Sequence, residues 1–274
     1  MSSTRIPPDL SRLLARRIDA ALGKIPCDVV IRDVGYLDVF SCRWATGDIG
    51  VIDGTIVGTD PGYRGTREIS GRGKFLVPGF IDAHVHLESS LMMPGEFERA
   101  VLARGTTAAI CDPHELANVM GVSGIQNFLT AAETMRLDLR VMLSSCVPAT
   151  HLETNGGGVL GAKDLFPLRA HPQALGLAEM MNFPGLLASD PDVLEKIAMF
   201  SDGPMDGHAP LLRGNALSAY AACGISSCHE SSEAGEAAEK LAKGIAVWIR
   251  EGSVAKDLEA LAPLLTLATS TTLG

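Results

Sequence analysis

From Lys74 onward the chain alternates strand-length apolar runs with helix-like runs, and that alternation limits its fold more than any other feature. The strand-like runs are Phe75–Asp82, Thr106–Cys111, Leu139–Ser145, Ala174–Met180, Pro204–His208, Gly224–Cys228 and Ile245–Arg250. Between them lie the helix-like runs Glu96–Ala103, Gly124–Met135, Asp192–Phe200, Leu211–Cys223 and Glu233–Lys243. Repeated β-α units mean a parallel sheet covered by helices. With no dinucleotide-type glycine fingerprint, the pattern predicts an α/β fold, a TIM-like (β/α)8 barrel rather than a doubly wound sheet. An eighth strand would begin near Thr266 or Thr271, where the sequence stops, so the barrel is expected to be incomplete at its C-terminal end. Gly156-Gly157-Gly158 reads as a mobile loop.

The first 73 residues have another texture. Leu10–Leu22 repeats apolar residues at helical spacing with arginines on the other face, as an amphipathic surface helix does. From Cys27 to Ile69, short β-rich runs such as Ile49-Gly50-Val51-Ile52 and Thr55-Ile56-Val57-Gly58 alternate with turn residues. Asp53-Gly54 between two such runs predicts a two-residue hairpin. The expected organisation is an N-terminal helix with a small, partial, mostly antiparallel β-sandwich over 1–73, followed by the barrel over 74–274.

Composition narrows the partners. Lys and Arg number 23 against 32 Asp and Glu, a formal charge of −9. So acidic a chain offers no field to a phosphate backbone, and nucleic acids are not expected partners. A small neutral heterocycle needs no such field. Hydrophobic residues at 46% exclude a disordered chain. The longest apolar runs fall far short of a membrane span, and Met1–Arg17 lacks the apolar core of a signal peptide, so no membrane partner is expected. The six scattered cysteines contain no C-x-x-C pair. They read as free thiols of a reduced, cytoplasmic protein and argue against a thiolate zinc site.

In a barrel of this kind, chemistry collects at the C-terminal ends of the strands. His84 and His86 follow the first run, His114 the second, His208 the fifth and His229 the sixth, while His151 and His171 fall in loop sequence. Residues i and i+2 of an extended segment share a face, so His84 and His86 can reach one cation. Such a pair alone is as readily two hydrogen-bonded core histidines; the histidines at later strand ends turn the reading toward metal. Glu179, within Leu177-Ala178-Glu179-Met180-Met181, is a carboxylate in apolar surroundings that needs a partner, and bridging two cations would provide one. His84, His86, Glu179, His208 and His229 are therefore the expected metal ligands. Glu179, Glu115 and His114 are the catalytic candidates, and Glu88, Asp112 and Arg250 the substrate-binding ones. For the outer residues of this set, charges on solvated turns are the simpler alternative.

Val77–His86 (Val-Pro-Gly-Phe-Ile-Asp-Ala-His-Val-His) resembles the first-strand signature of the amidohydrolase superfamily. Together with His-Val-His-Leu-Glu-Ser-Ser (84–90), Asp-Pro-His-Glu (112–115), Ala-Glu-Met-Met-Asn (178–182), Gly-His-Ala (207–209) and Arg-Glu-Gly-Ser (250–253), it is similar to the bacterial adenine deaminase family. The similarity runs from about residue 27 to the last. The resemblance implies hydrolytic deamination of adenine to hypoxanthine and ammonia in purine salvage. It also implies two divalent metal ions, Mn2+ foremost with Fe2+ or Zn2+ as alternatives, and proton transfer by a rim carboxylate, Glu179 or Glu115. The H-x-E and P-C-x-x-C signature of base-flipping zinc deaminases is absent.

Members of that family are considerably longer, and carry an aspartate just after the eighth strand and further domains beyond it. This sequence reaches Ser-Thr-Thr-Leu-Gly (270–274) before any such residue. The expectation is a truncated member with little activity alone, whose exposed strand edges favour a homo-oligomer. Two other readings stay open: a different amidohydrolase, such as a cyclic amidase or deacetylase, and a metal-binding fragment without activity. Metal ligands report the nucleophile rather than the leaving group.

Overall fold

The computed structural model describes residues 8–153, 157–266 and 268–274, divided at the Pro78–Gly79 bond into two compact units. Gly156 of the expected glycine loop lies outside the described residues.

The first unit is a five-stranded sheet with one helix, Pro8–Ala21. Its strands are β1 (Cys27–Asp38), β2 (Arg43–Ile52), β3 (Thr55–Gly58), β4 (Gly65–Ser70) and β5 (Phe75–Leu76), ordered β3-β2-β1-β4 with β5 also on β1. The expected hairpin forms: Asp53 and Gly54 take φ of 49° and 68°, the left-handed pair that a two-residue turn requires. The sheet is mixed rather than mostly antiparallel, since β4 and β5 both run parallel to β1. The cause is the return of the chain to the start of β1, where Cys27 N donates to Arg64 O. Ala20, Cys27, Val30, Ile52 and Tyr63 form a small core of their own.

The run Phe75–Asp82 does not make a single buried strand. Proline lacks an N–H for a sheet ladder, and the chain switches sheets at Pro78-Gly79. Gly79 lies so close to Thr107 that an added Cβ would sit 2.1 Å from its Oγ1.

The second unit carries the predicted parallel sheet. Its strands are β6 (Phe80–Val85), β7 (Thr106–Cys111), β8 (Asp138–Leu143), β9 (Ala174–Met180), β10 (Met205–Gly207), β11 (Ser227–Cys228) and β12 (Ala246–Val247), adjacent in chain order. Leu139, Val141, Leu143, Leu177 and Met180 bury the middle strands against helices that include Val122–Ala132, Pro191–Met199 and Gly214–Ala222. Leu273 runs parallel beside Val247, with Val247 N donating to Thr272 O at 2.8 Å. The sheet curls strongly: the imidazoles of His84, on β6, and His229, just past β11, stack 3.6 Å apart. This is an incomplete TIM-like barrel. The helix His114–Met120, which begins directly at the end of β7, is not marked by the apolar spacing.

Candidate metal centre

Residues at the C-terminal ends of five parallel strands converge at this mouth. β6 supplies His84 and His86, the end of β7 Asp112 and His114, β9 Glu179, the end of β10 Asp206 and His208, and the end of β11 His229. Of the expected ligands all five come together, with Glu179 in the middle and only 2% exposed. Each of its oxygens faces a different pair. Oε2 lies 2.7 Å from His208 Nδ1 and 2.7 Å from His229 Nε2. Oε1 lies 3.1 Å from His114 Nδ1 and 3.5 Å from His86 Nε2. Burial works against its charged form, yet His208 and His229 hold the carboxyl well below the usual range.

The hydrogen-bond directions decide whether this cluster fits a cation. A main-chain carbonyl only accepts, so His86 Nδ1, 2.9 Å from Asp112 O, is the protonated nitrogen of that ring. Asp206 is kept ionised, despite its burial, by His229 and His84. Its Oδ2 takes His84 Nδ1 at 3.0 Å and His229 Nδ1 at 3.2 Å. With both Nδ1 atoms donating, the Nε2 atoms of His84 and His86 bear lone pairs, and they face each other at 3.0 Å. Two acceptors hold that distance only around a positive charge. It is also the spacing of two nitrogens bound at right angles, each about 2.1 Å from one ion. His229 Nε2 faces the Glu179 carboxylate at 2.7 Å. Burial disfavours the charged form of this ring, but Asp206 and Glu179 prevail and push His229 up to about 10. The donor set, imidazoles with a shared carboxylate, suits divalent transition ions.

Around this cluster the candidate catalytic and substrate residues divide by surroundings. Asp112 is buried and fully engaged, accepting Ser144 Oγ at 2.9 Å and facing His114 Nδ1 at 3.1 Å. Burial opposes the charge on His114, but Asp112, Glu179 and Glu115 push it up to about 9. Glu88 and Glu115 lie side by side, each with its Oε2 buried and without a hydrogen-bond donor. Burial and the neighbouring Glu115 carboxyl push Glu88 up to about 8, so one proton shared between the two carboxyls satisfies both oxygens. Glu115 Oε2 is 3.6 Å from His86 Nδ1. Arg250 is paired with Glu230 and with Asp257 at 3.2 Å, and so holds Glu230 beside His208 and His229. His171 pairs with Glu133 at 3.0 Å, away from the cluster.

Three features escaped the sequence. Asp206 precedes His208 by two residues, the same i, i+2 spacing as His84 and His86, and that spacing was the available signal. Ser144 and Ser227, which donate to Asp112 and Asp206, carry no signal of their own. Neither does the buried pair of Lys240 and Glu236 on the helix Ala234–Ala242.

Residues 75–266 match the Amidohydrolase family. An adenine deaminase from Cereibacter sphaeroides (strain ATCC 17025 / ATH 2.4.3) is 54% identical over 257 residues, covering 94% of this chain and 45% of the relative. One from Gluconobacter oxydans (strain 621H) is 52% identical over 261 residues, covering 95% of this chain and 46% of the relative. The chain thus spans about half the length of the curated relatives it matches. Among solved structures, the fold is similar to atrazine chlorohydrolase TrzN from Arthrobacter aurescens TC1 complexed with zinc, with a TM-score of 0.57 and 16% identity over 80% of this chain and 65% of that one. It is similar also to N-acyl-D-glutamate deacylase from Bordetella bronchiseptica, with a TM-score of 0.54 and 15% identity over 82% of this chain and 58% of that one.

Proposed function

The chain belongs to the amidohydrolase family, and on that premise we propose that its histidine cluster binds two divalent cations and serves the hydrolytic deamination of adenine to hypoxanthine and ammonia. The observation that carries the reading is Glu179, one oxygen of which faces His208 and His229 while the other faces His114 and His86, the latter 3.0 Å from His84. His84 and His86 would hold one ion, His208 and His229 the other, and Glu179 would serve both. When bound, such ions supply Lewis-acid activation of water near neutral pH. Manganese is the favoured metal, with iron or zinc as alternatives. The choice of adenine rests on the relatives named adenine deaminase, at 52% and 54% identity. A neutral purine base also suits a chain whose net charge of −9 repels phosphates.

Deamination needs protons delivered to the purine ring nitrogen and to the departing amine. The Glu88–Glu115 pair holds one at neutral pH, beside His86, and is the proton store. His114, set between Asp112 and Glu179, holds a second. Arg250 keeps Glu230 turned toward the histidines, where it limits how a substrate can approach. No helix among the described residues is long and apolar enough to cross a membrane. The six cysteines are free, which supports a reducing, cytoplasmic setting.

The test is ammonia release from adenine, adenosine and a cyclic amide by the manganese-loaded chain, with the His84→Ala chain as control. Release is expected to be slow, since the chain spans about half the length of its relatives, and to favour adenine over the other two. Preference for adenosine or the amide would move the assignment to another amidohydrolase activity. No release from any substrate would remove the activity from these 274 residues.

A further inference from the structure

Asp206 is absent from the expected ligand set, yet it touches His84 and His229, one histidine of each cation position proposed above. It is 6% exposed and lies within β10, between β9, which carries Glu179, and β11, which His229 directly follows. One of its oxygens, Oδ2, takes His84 Nδ1 at 3.0 Å and His229 Nδ1 at 3.2 Å. The other, Oδ1, accepts from Ser227 Oγ at 2.7 Å. The two imidazoles lie stacked over one another, 3.6 Å apart and inclined by 16°, so the same carboxylate reaches both ring edges.

An ionised carboxylate accepts hydrogen bonds and donates none. Each ring held by Asp206 must therefore carry its hydrogen on Nδ1, which leaves Nε2 as the nitrogen open to a cation. For His84 that atom faces His86, and for His229 it faces Glu179. A histidine ligand is oriented by the partner of its other nitrogen, and loss of that partner typically weakens metal binding about 10- to 100-fold. Here a single partner serves two ligands that belong to different cation positions.

We infer that Asp206 is a positioning residue that fixes the tautomer and ring plane of one histidine at each of two cation positions. The inference rests on the reading of the histidines as metal ligands proposed above. Ser227 completes the arrangement by fixing the rotamer of the carboxylate. In the Asp206→Asn chain the amide oxygen can still accept from both rings while its NH2 turns to Ser227, so the tautomers survive. The similar-sized Asp206→Leu chain removes the acceptor altogether.

The experiment has two readouts that do not involve turnover. In the wild-type chain loaded with zinc and labelled with 15N-histidine, nitrogen shifts of His84 and His229 should report hydrogen on Nδ1 and metal on Nε2. Titration with zinc should show both ions weakened about 10- to 100-fold in Asp206→Leu, with Asp206→Asn nearer the wild type. The His208→Ala chain, by contrast, should weaken chiefly one ion. Metal on Nδ1 of either ring, or a folded Asp206→Leu chain that binds both ions as tightly as the wild type, overturns the inference. A wild-type chain that binds no zinc overturns the ligand reading itself, a separate outcome. Should Asp206→Leu fail to fold, the wild-type nitrogen shifts still decide.

Discussion

Lys240 and Glu236 meet at 2.8 Å with their side chains 0% and 1% exposed, a fully buried ion pair one turn apart on a helix. Lys240 Nζ also donates to Glu230 O at 2.5 Å and to Ser231 Oγ at 3.0 Å. Glu236 Oε1 accepts from Leu211 N at 2.8 Å. The pair therefore fastens the loop after His208 and the loop after His229 to one helix. Removing one partner of such a pair leaves a bare buried charge and costs about 3–5 kcal/mol. Lys240→Met is expected to destabilise the chain by that amount, and the double change Glu236→Gln with Lys240→Met to recover much of it. Denaturant titration measures both; a Lys240→Met chain within about 1 kcal/mol of the wild type would contradict the role.

Metal content is the most direct check on the cluster. His84→Ala and His208→Ala each remove one ligand, and elemental analysis of the purified chains should show less bound manganese than in the wild type. Chelation should lower the melting temperature of the wild type, because a ligand at 100 times its Kd stabilises the folded state by about 2.7 kcal/mol. Equal metal in all three chains would remove these histidines from the site.

The Glu88–Glu115 pair predicts a pH limb. Glu88, pushed up to about 8, holds its proton below that pH and releases it above. Deamination that draws on this proton should decline as pH rises through about 8. Glu88→Gln should slow turnover about 10²- to 10⁴-fold and leave metal content unchanged. A Glu88→Gln chain with the wild-type rate and pH profile would exclude the pair from proton transfer.

In the first unit, Arg32 joins Asp48 at 2.7 Å and Glu68 beside it. The Arg32 guanidinium and the Asp33 N–H hold the Asp48 carboxyl below its usual range. A carboxyl lowered in the folded state stabilises above its unfolded value and loses that contribution as pH falls through the folded one. Asp48→Asn should thus cost about 1 kcal/mol at pH 7, and the difference should shrink as pH falls below the ordinary carboxylate value of 3.8. Trp44 fluorescence in a Trp248→Phe background reads the unit directly. A difference that persists undiminished at low pH would assign the cost to something other than this charge.

The sequence made the order of strands legible because each strand of the parallel sheet is an apolar run between turns. Thr106–Cys111 and Ala174–Met180 hold to the residue. The last strands shrink to Ser227–Cys228 and Ala246–Val247, since apolar character persists beyond the ladder hydrogen bonds that define a strand. The convergence of His84, His86, Glu179, His208 and His229 was legible from their places at strand ends. The residues that orient them were not. Asp206 reaches the rings of His84 and His229, remote from it in sequence, and such contacts leave no local pattern. Arg250 looked free to meet a substrate in sequence; its two carboxylate partners, Glu230 and Asp257, lie on other segments.

The stack of His84 on His229 has a consequence for folding. The two rings come from near opposite ends of the second unit's sequence and meet only once the intervening strands have zipped together. Contacts between such remote parts of a chain form late, because the loop they close must first be ordered. Neither half of the sheet holds the whole cluster, so a nascent or partly unfolded chain offers its histidines in incomplete sets and should capture metal weakly. Tight metal uptake is then a chemical certificate that the sheet has curled shut, and the rate of its appearance in a refolding experiment would time that final step.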